Sequence, residues 1–138
     1  EQHKPLKRAH KQRVHFLGTV KYEKYIHICS NSLAHFYISY PFVLSWSVLE
    51  LMFMKIPIIA NKIDINAEVI SHQESGMLFD YNKPYDAVSC LKELIKNPHL
   101  AKKIGDNARK LITAKYDSKN TSKEIWNEIL KAYNSEPN

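Results

Sequence analysis

The 138-residue sequence has two cysteines, three glycines and no long apolar run. Cys29 and Cys90 lie far apart and outside any C-x-x-C pattern. They read as two buried thiols in a reducing compartment, not as a disulfide framework. The seven histidines form neither H-E-x-x-H nor Cys/His ligand spacing, so the sequence predicts no metal and no cofactor. No stretch of about 18 apolar residues is present to span a bilayer. The basic start "EQHKPLKRAHKQR" lacks the apolar segment of a signal peptide. Residues 1–12 therefore read as a solvated lead-in, or as the tail of an element that began earlier. There is no internal repeat, no low-complexity run and no interdomain linker.

What is present suits a single domain or a piece of one. Apolar residues make up 44% of the chain, enough for a core. The formal net charge of +6 attracts anions: phosphates, nucleotides, nucleic acid or an acidic membrane face. Charge alone does not choose among them.

Periodicity gives the order of elements. "RVHFLG" (13–18) reads as a short strand ending in a glycine, and "KYEKYIHICSNS" (21–32) as a helix. "LAHFYISY" (33–40) is rich in aromatic and β-branched residues and reads as a strand closed by Pro41. Ser45 to Met54 reads as a buried helix, with Trp46, Leu49, Met52 and Phe53 at helical intervals. "IPIIAN" (56–61) is the fully apolar strand of a sheet covered on both faces. "AEVISHQESG" (67–76) reads as a helical turn and a loop, with Gly76 at positive φ before the strand "MLFD" (77–80). Helices follow over 84–96, from Pro98 onward, and over about 119–133. Gly105, inside the second of these, reads as a packing notch. Strands alternating with helices predict an α/β, Rossmann-like parallel sheet with flanking helices.

The candidate site is "PFVLSWSVLE", residues 41–50. It joins a strand to a helix at the end of a parallel sheet where ligands bind. A helix N-terminus offers unpaired N–H groups and partial positive charge, which suit a phosphate. Ser45 and Ser47 add hydroxyls, and Glu50 is a carboxylate able to accept two ribose hydroxyls. A second reading uses the same atoms. Ser47-Val48-Leu49-Glu50 is an S-x-x-E capping box, in which Ser47 and Glu50 cap each other's backbone and Trp46 is a buried anchor. The two readings compete for one carboxylate.

Five stretches in order add to this: "VHFLGTV", "YISYPFVLSWSVLELMFMKIPIIAN", "AEVISHQESGMLFD", "NPHLAKKIGDNARKLI" and "YD". Together, over roughly residues 13–133, they resemble the C-terminal half of family 4 glycosyltransferases (glycosyl transferases group 1) of the GT-B fold. Leu-Ser-Trp-Ser before the glutamate resembles a bacterial branch of that family. The resemblance implies a donor-binding domain over 13–138 that holds a nucleotide-sugar, in an enzyme transferring a hexose-type sugar with retention and without a metal. It implies that Glu50 binds the ribose and that Val43, Leu44, Ser45, Trp46 and Ser47 meet the diphosphate and sugar. Gly18, Thr19 and Val20 would lie near the nucleobase. It implies further a cytoplasmic enzyme, with contact to the inner membrane face through Lys102, Lys103, Arg109, Lys110 and Lys115 as an alternative to a plain solvated helix face.

The sequence departs from the family pattern in three places. Phe42 stands where many members have a second glutamate. Asp64 and Ile65 replace a Gly-Gly pair. Leu51, Phe53, Met54, Lys55 and Ile56 replace small residues after the glutamate. The family's first two strands and its N-terminal acceptor domain have no counterpart before residue 13, so the chain reads as a fragment not expected to turn over alone. Two rival functions remain at this stage. A nucleic-acid module fits the charge, but the aromatics follow apolar patterns and do not interleave with Lys and Arg. A nucleotide-binding remnant without catalysis fits the missing carboxylate at Phe42. His15, His27, His35, His72 and His99 lack partner motifs and read as structural or surface residues. Asp64 and Glu68 are either a carboxylate pair near the site or, for Glu68, a first-turn helix residue.

Overall fold

The structure is a computed structural model, and it describes residues 13–41, 43–116 and 127. The elements run α1 (Tyr22–Ser30), β1 (His35–Tyr37), α2 (Trp46–Phe53), β2 (Ile58–Asn61), α3 (Asp64–Ala67), β3 (Met77–Phe79), α4 (Pro84–Lys96) and α5 (Pro98–Tyr116). The expected helix over about 119–133, with Trp126, and the departure at Phe42 lie outside the described residues.

The three strands form one parallel sheet in the order β1-β2-β3. Central β2 is buried along its whole length, as a doubly covered strand must be. Its side chains alternate between two cores. Ile58 and Ala60 face a core with Val48, Leu51 and Met52 of α2 and Ala108 and Ile112 of α5. Ile59 faces the other, with Met77, Phe79, Cys90 and Leu94, closed by Ile104 of α5. Thus α2 covers one face, α4 covers the other, and α5 closes both. Each fully buried aliphatic side chain in these cores contributes roughly 1.5–3 kcal/mol. Cys29 and Cys90 are free thiols, one in each core. Burial is the main cause that pushes the Cys90 thiol up.

Local chemistry sets the boundaries. Pro84 and Pro98 each open a helix where no N–H is needed. Asn97 ends α4, and its side-chain oxygen accepts the Leu100 N–H at 3.1 Å in the first turn of α5. Gly105 is the notch that the spacing suggested. A Cβ there would collide with the carbonyl of Lys55, at the end of α2. β1 is shorter than its apolar run because β2 ends at Asn61. Beyond Tyr37 the ladder is continued by a side chain: Asn61 Oδ1 accepts the Ser39 N–H at 3.0 Å, and Asn61 Nδ2 donates to the Ser39 carbonyl at 2.9 Å.

Several expectations are corrected. Residues 13–18 are not a strand, and Phe16 is 86% exposed. A strand's backbone needs a neighbour to pair with, and among the described residues none runs beside it. Gly76 is not at positive φ; Gly18 is, at 59°. Gly76 is required by space, since a Cβ there would lie 2.6 Å from Ile70 Cγ2. Trp46 and Phe53 are exposed, and the face that α2 buries is Val48, Leu51 and Met52. Glu68 ends α3, while Asp64 occupies its first turn.

Candidate functional site

The site grows from the junction of β1 and α2. Ser45 is the N-cap of α2, in an extended conformation, with its side chain accepting the Ser47 N–H at 3.3 Å. The two hydroxyls, Ser45 Oγ and Ser47 Oγ, share a 2.7 Å hydrogen bond. The Ser45 N–H donates to the Tyr37 hydroxyl at 3.3 Å, and the Val48 N–H to the Ser45 carbonyl at 3.0 Å. Two of these contacts are at the long end of hydrogen-bond range, so an anion could displace them at small cost.

The helix therefore begins two residues before the start that a capping box at Ser47 requires. Glu50 falls beyond the first turn, out of reach of the cap, and the capping-box reading is overturned. Its carboxylate is held from another helix: Tyr22 at the start of α1 donates its hydroxyl to Glu50 Oε1 at 3.1 Å. That hydrogen bond is the main cause raising the Tyr22 phenol. Below it, burial pushes the Tyr25 phenol up to about 12, with Glu50 adding to the effect. Tyr22, Trp46 and Glu50 line a groove of about 450 Å³ together with mostly apolar residues, among them Ile26, Leu49 and Phe53.

Of the expected site residues, the structure brings Ser45, Trp46, Ser47 and Glu50 onto one helix start. Leu44 packs against the core, and Val43 is 72% exposed. Gly18 and Thr19 are exposed and Val20 half-buried, in the segment that leads into α1. Three residues were missed: Tyr22, Tyr37 and Asn61. Tyr22 carried only a helical-spacing signal. Asn61 carried a usable one, a single polar residue closing an apolar strand at the carboxyl end of the sheet. Ser39, Tyr40, Asn61, Ile63 and Tyr81 line a second cavity, of about 270 Å³, where the three strands end.

Other candidates separate from this centre. His35 opens β1 at the opposite end of the sheet, and burial lowers it. His72 has a structural role, its Nδ1 accepting the Leu78 N–H at 3.0 Å. Asp64 and Glu68 line a shallow cavity together with Lys62. Arg109, exposed on α5, lies 4.6 Å over the Phe53 ring of α2. Among the described residues, no group of three or more His, Cys, Asp or Glu is placed to hold a metal ion. Among the same residues, no helix is long and apolar enough to cross a membrane.

A cavity at the carboxyl ends of parallel strands, next to the junction of β1 and α2, is where open α/β sheets bind ligands. Residues 2–111 match the family model of glycosyl transferases group 1, and the chain belongs to that family. It is 30% identical over 73 residues to glycosyltransferase 1 domain-containing protein 1 of Xenopus tropicalis, covering 53% of this chain and 21% of that protein. Among solved structures, it superposes on the C-terminal domain of a glycosyl transferase group 1 family protein from Francisella tularensis. The TM-score is 0.62 at 27% identity, over 75% of this chain and 53% of that one. Sucrose-phosphate synthase from Thermosynechococcus elongatus gives a TM-score of 0.77 at 17% identity, over 91% of this chain and 31% of that one. The fold is that of the C-terminal domain of GT-B glycosyltransferases. The chain spans only part of each relative's length: 21%, 53% and 31%.

Proposed function

We propose that this chain is the donor-binding part of a retaining, family 4 glycosyltransferase that takes a sugar from a nucleotide-sugar. The diphosphate sits at the start of α2, on its amides and the hydroxyls of Ser45 and Ser47. The ribose hydroxyls bind Glu50, the base lies beside Gly18, Thr19 and Val20, and the sugar extends toward Val43, Leu44 and Trp46. The helix N-terminus and the net charge of +6 offset the diphosphate charge, so no metal is invoked. The acceptor, a glycan, a lipid or a small molecule, is held by another domain. The enzyme works in the cytoplasm, with the basic face of α5 available to an acidic membrane.

One observation carries this reading. Glu50 is not consumed by its own helix cap, and it stands half-buried just past the first turn of α2. The family membership supports it. A thermal-shift series with UDP, GDP and ADP tests it. At a hundredfold excess over Kd, one nucleotide stabilises the chain by about 2.7 kcal/mol, and EDTA leaves the shift unchanged. Equal silence from all three, or a shift that disappears with EDTA, contradicts the reading.

A further inference from the structure

Tyr22 and Glu50 are 28 residues apart in sequence and on different helices, yet the phenol donates to the carboxylate at 3.1 Å. We propose that Tyr22 is a positioning residue for the donor ribose: its hydroxyl pins one oxygen of Glu50 and leaves the other to the ribose hydroxyls. The proposal rests on the donor-site reading of Glu50.

Three observations carry it. First, little else fixes Glu50. The helix cap does not use it, and among the described residues no lysine or arginine forms an ion pair with it. An untethered glutamate loses rotamer freedom on meeting a ligand, and a tethered one has already lost it. Second, Tyr22 is itself supported. Tyr22 is 59% exposed, but its ring packs 6.1 Å from that of half-buried Tyr25, at 34°. Cys29 anchors the same helix in the core. Third, the tether does not compete with a sugar. A carboxylate offers about four acceptor positions; Tyr22 fills one, and a ribose diol needs two.

The placement also couples two parts of the donor site. Tyr22 lies two residues after Val20, with Lys21, the N-cap of α1, between them, and Gly18 holds the segment ahead of it at φ 59°. A nucleobase that settles this segment also settles the phenol, and through it the ribose ligand. The hydrogen bond to Glu50 is the main cause raising the Tyr22 phenol, which keeps it a protonated donor at neutral pH.

Tyr22→Phe removes the hydroxyl and keeps the ring. Calorimetric titration of the full chain compares whichever of UDP, GDP and ADP binds most tightly with its 2′,3′-dideoxy counterpart. Wild type is expected to prefer the ribose form. Tyr22→Phe is expected to weaken that form about three- to tenfold and to leave the dideoxy form unchanged. A purely structural role would weaken both forms alike, and a preference kept at its wild-type value would overturn the proposal. Glu50→Gln in parallel separates the two levels. If it erases the preference while Tyr22→Phe does not, only the positioning role fails. If it too leaves the preference intact, or if no nucleotide binds wild type, the donor-site reading fails and the proposal with it.

Discussion

Replacing Gly105 with alanine is expected to destabilise the fold by about 2 kcal/mol, read as a fall in Tm of roughly 6–10 °C. An added Cβ would fall inside contact distance of the Lys55 carbonyl oxygen and 3.0 Å from its carbon. Both are backbone atoms, so no side chain can swing aside. Lys55 is also poorly able to yield. It already sits at φ 64°, and its N–H is bonded to the Met52 carbonyl at 3.0 Å. Alanine gains about 1 kcal/mol of helix propensity over glycine, which opposes the clash. Overpacking against backbone costs about 1–3 kcal/mol, occasionally more, and is expected to win here. Because α5 then pushes on the end of α2, nucleotide affinity is expected to fall along with stability. An unchanged or raised Tm would show that the two helices are not in close contact at this point.

The second large effect is expected at Asn61. This residue is 2% exposed, and its amide replaces two rungs of the sheet beside Ser39. It also accepts, more weakly, from Asn66 Nδ2 at 3.3 Å, while Asn66 Nδ2 donates to the Asn61 backbone carbonyl at 2.9 Å. Asn61→Ala keeps the backbone bond but leaves the N–H and C=O of half-buried Ser39 without partners. A buried group left unpaired costs about 1–3 kcal/mol, so a net loss of about 2–3 kcal/mol is expected. The loss should be local first. The Ser39 amide should exchange with solvent faster than the β2 amides, because the segment from Ser39 to Ser45 is released. Unchanged protection at Ser39 would mean that the side-chain ladder does not hold the segment.

The sequence disclosed the sheet and its cover well, for a physical reason. β2 and the core faces of α4 and α5 are long or continuous patterns, so burial is written in them directly. The absence of a strand at 13–18 was not legible, because strand formation depends on a neighbour that no local pattern reveals. Trp46 was misplaced by the same logic: its spacing fits either of two adjacent helix faces, and the start of the helix decides which one is buried. The periodicity read the helix from Ser45, while the competing capping-box pattern required a start at Ser47. The structure puts it at Ser45, whose hydroxyl reaches the Ser47 N–H. The two-residue difference decides the chemistry of Glu50. The Tyr22–Glu50 contact joins residues on two helices, and no periodicity in either helix encodes it.

The central claim is that the start of α2 and Glu50 together hold the diphosphate and ribose of a nucleotide-sugar. The most direct test is an NMR titration of the chain with UDP, GDP and ADP, following the amides from Ser45 to Glu50, with Glu50→Gln as control. The donor-site reading predicts saturable shifts at those amides with one of the three nucleotides, and a binding curve moved to higher concentration in Glu50→Gln. Shifts elsewhere only, or identical curves for wild type and Glu50→Gln, would contradict it.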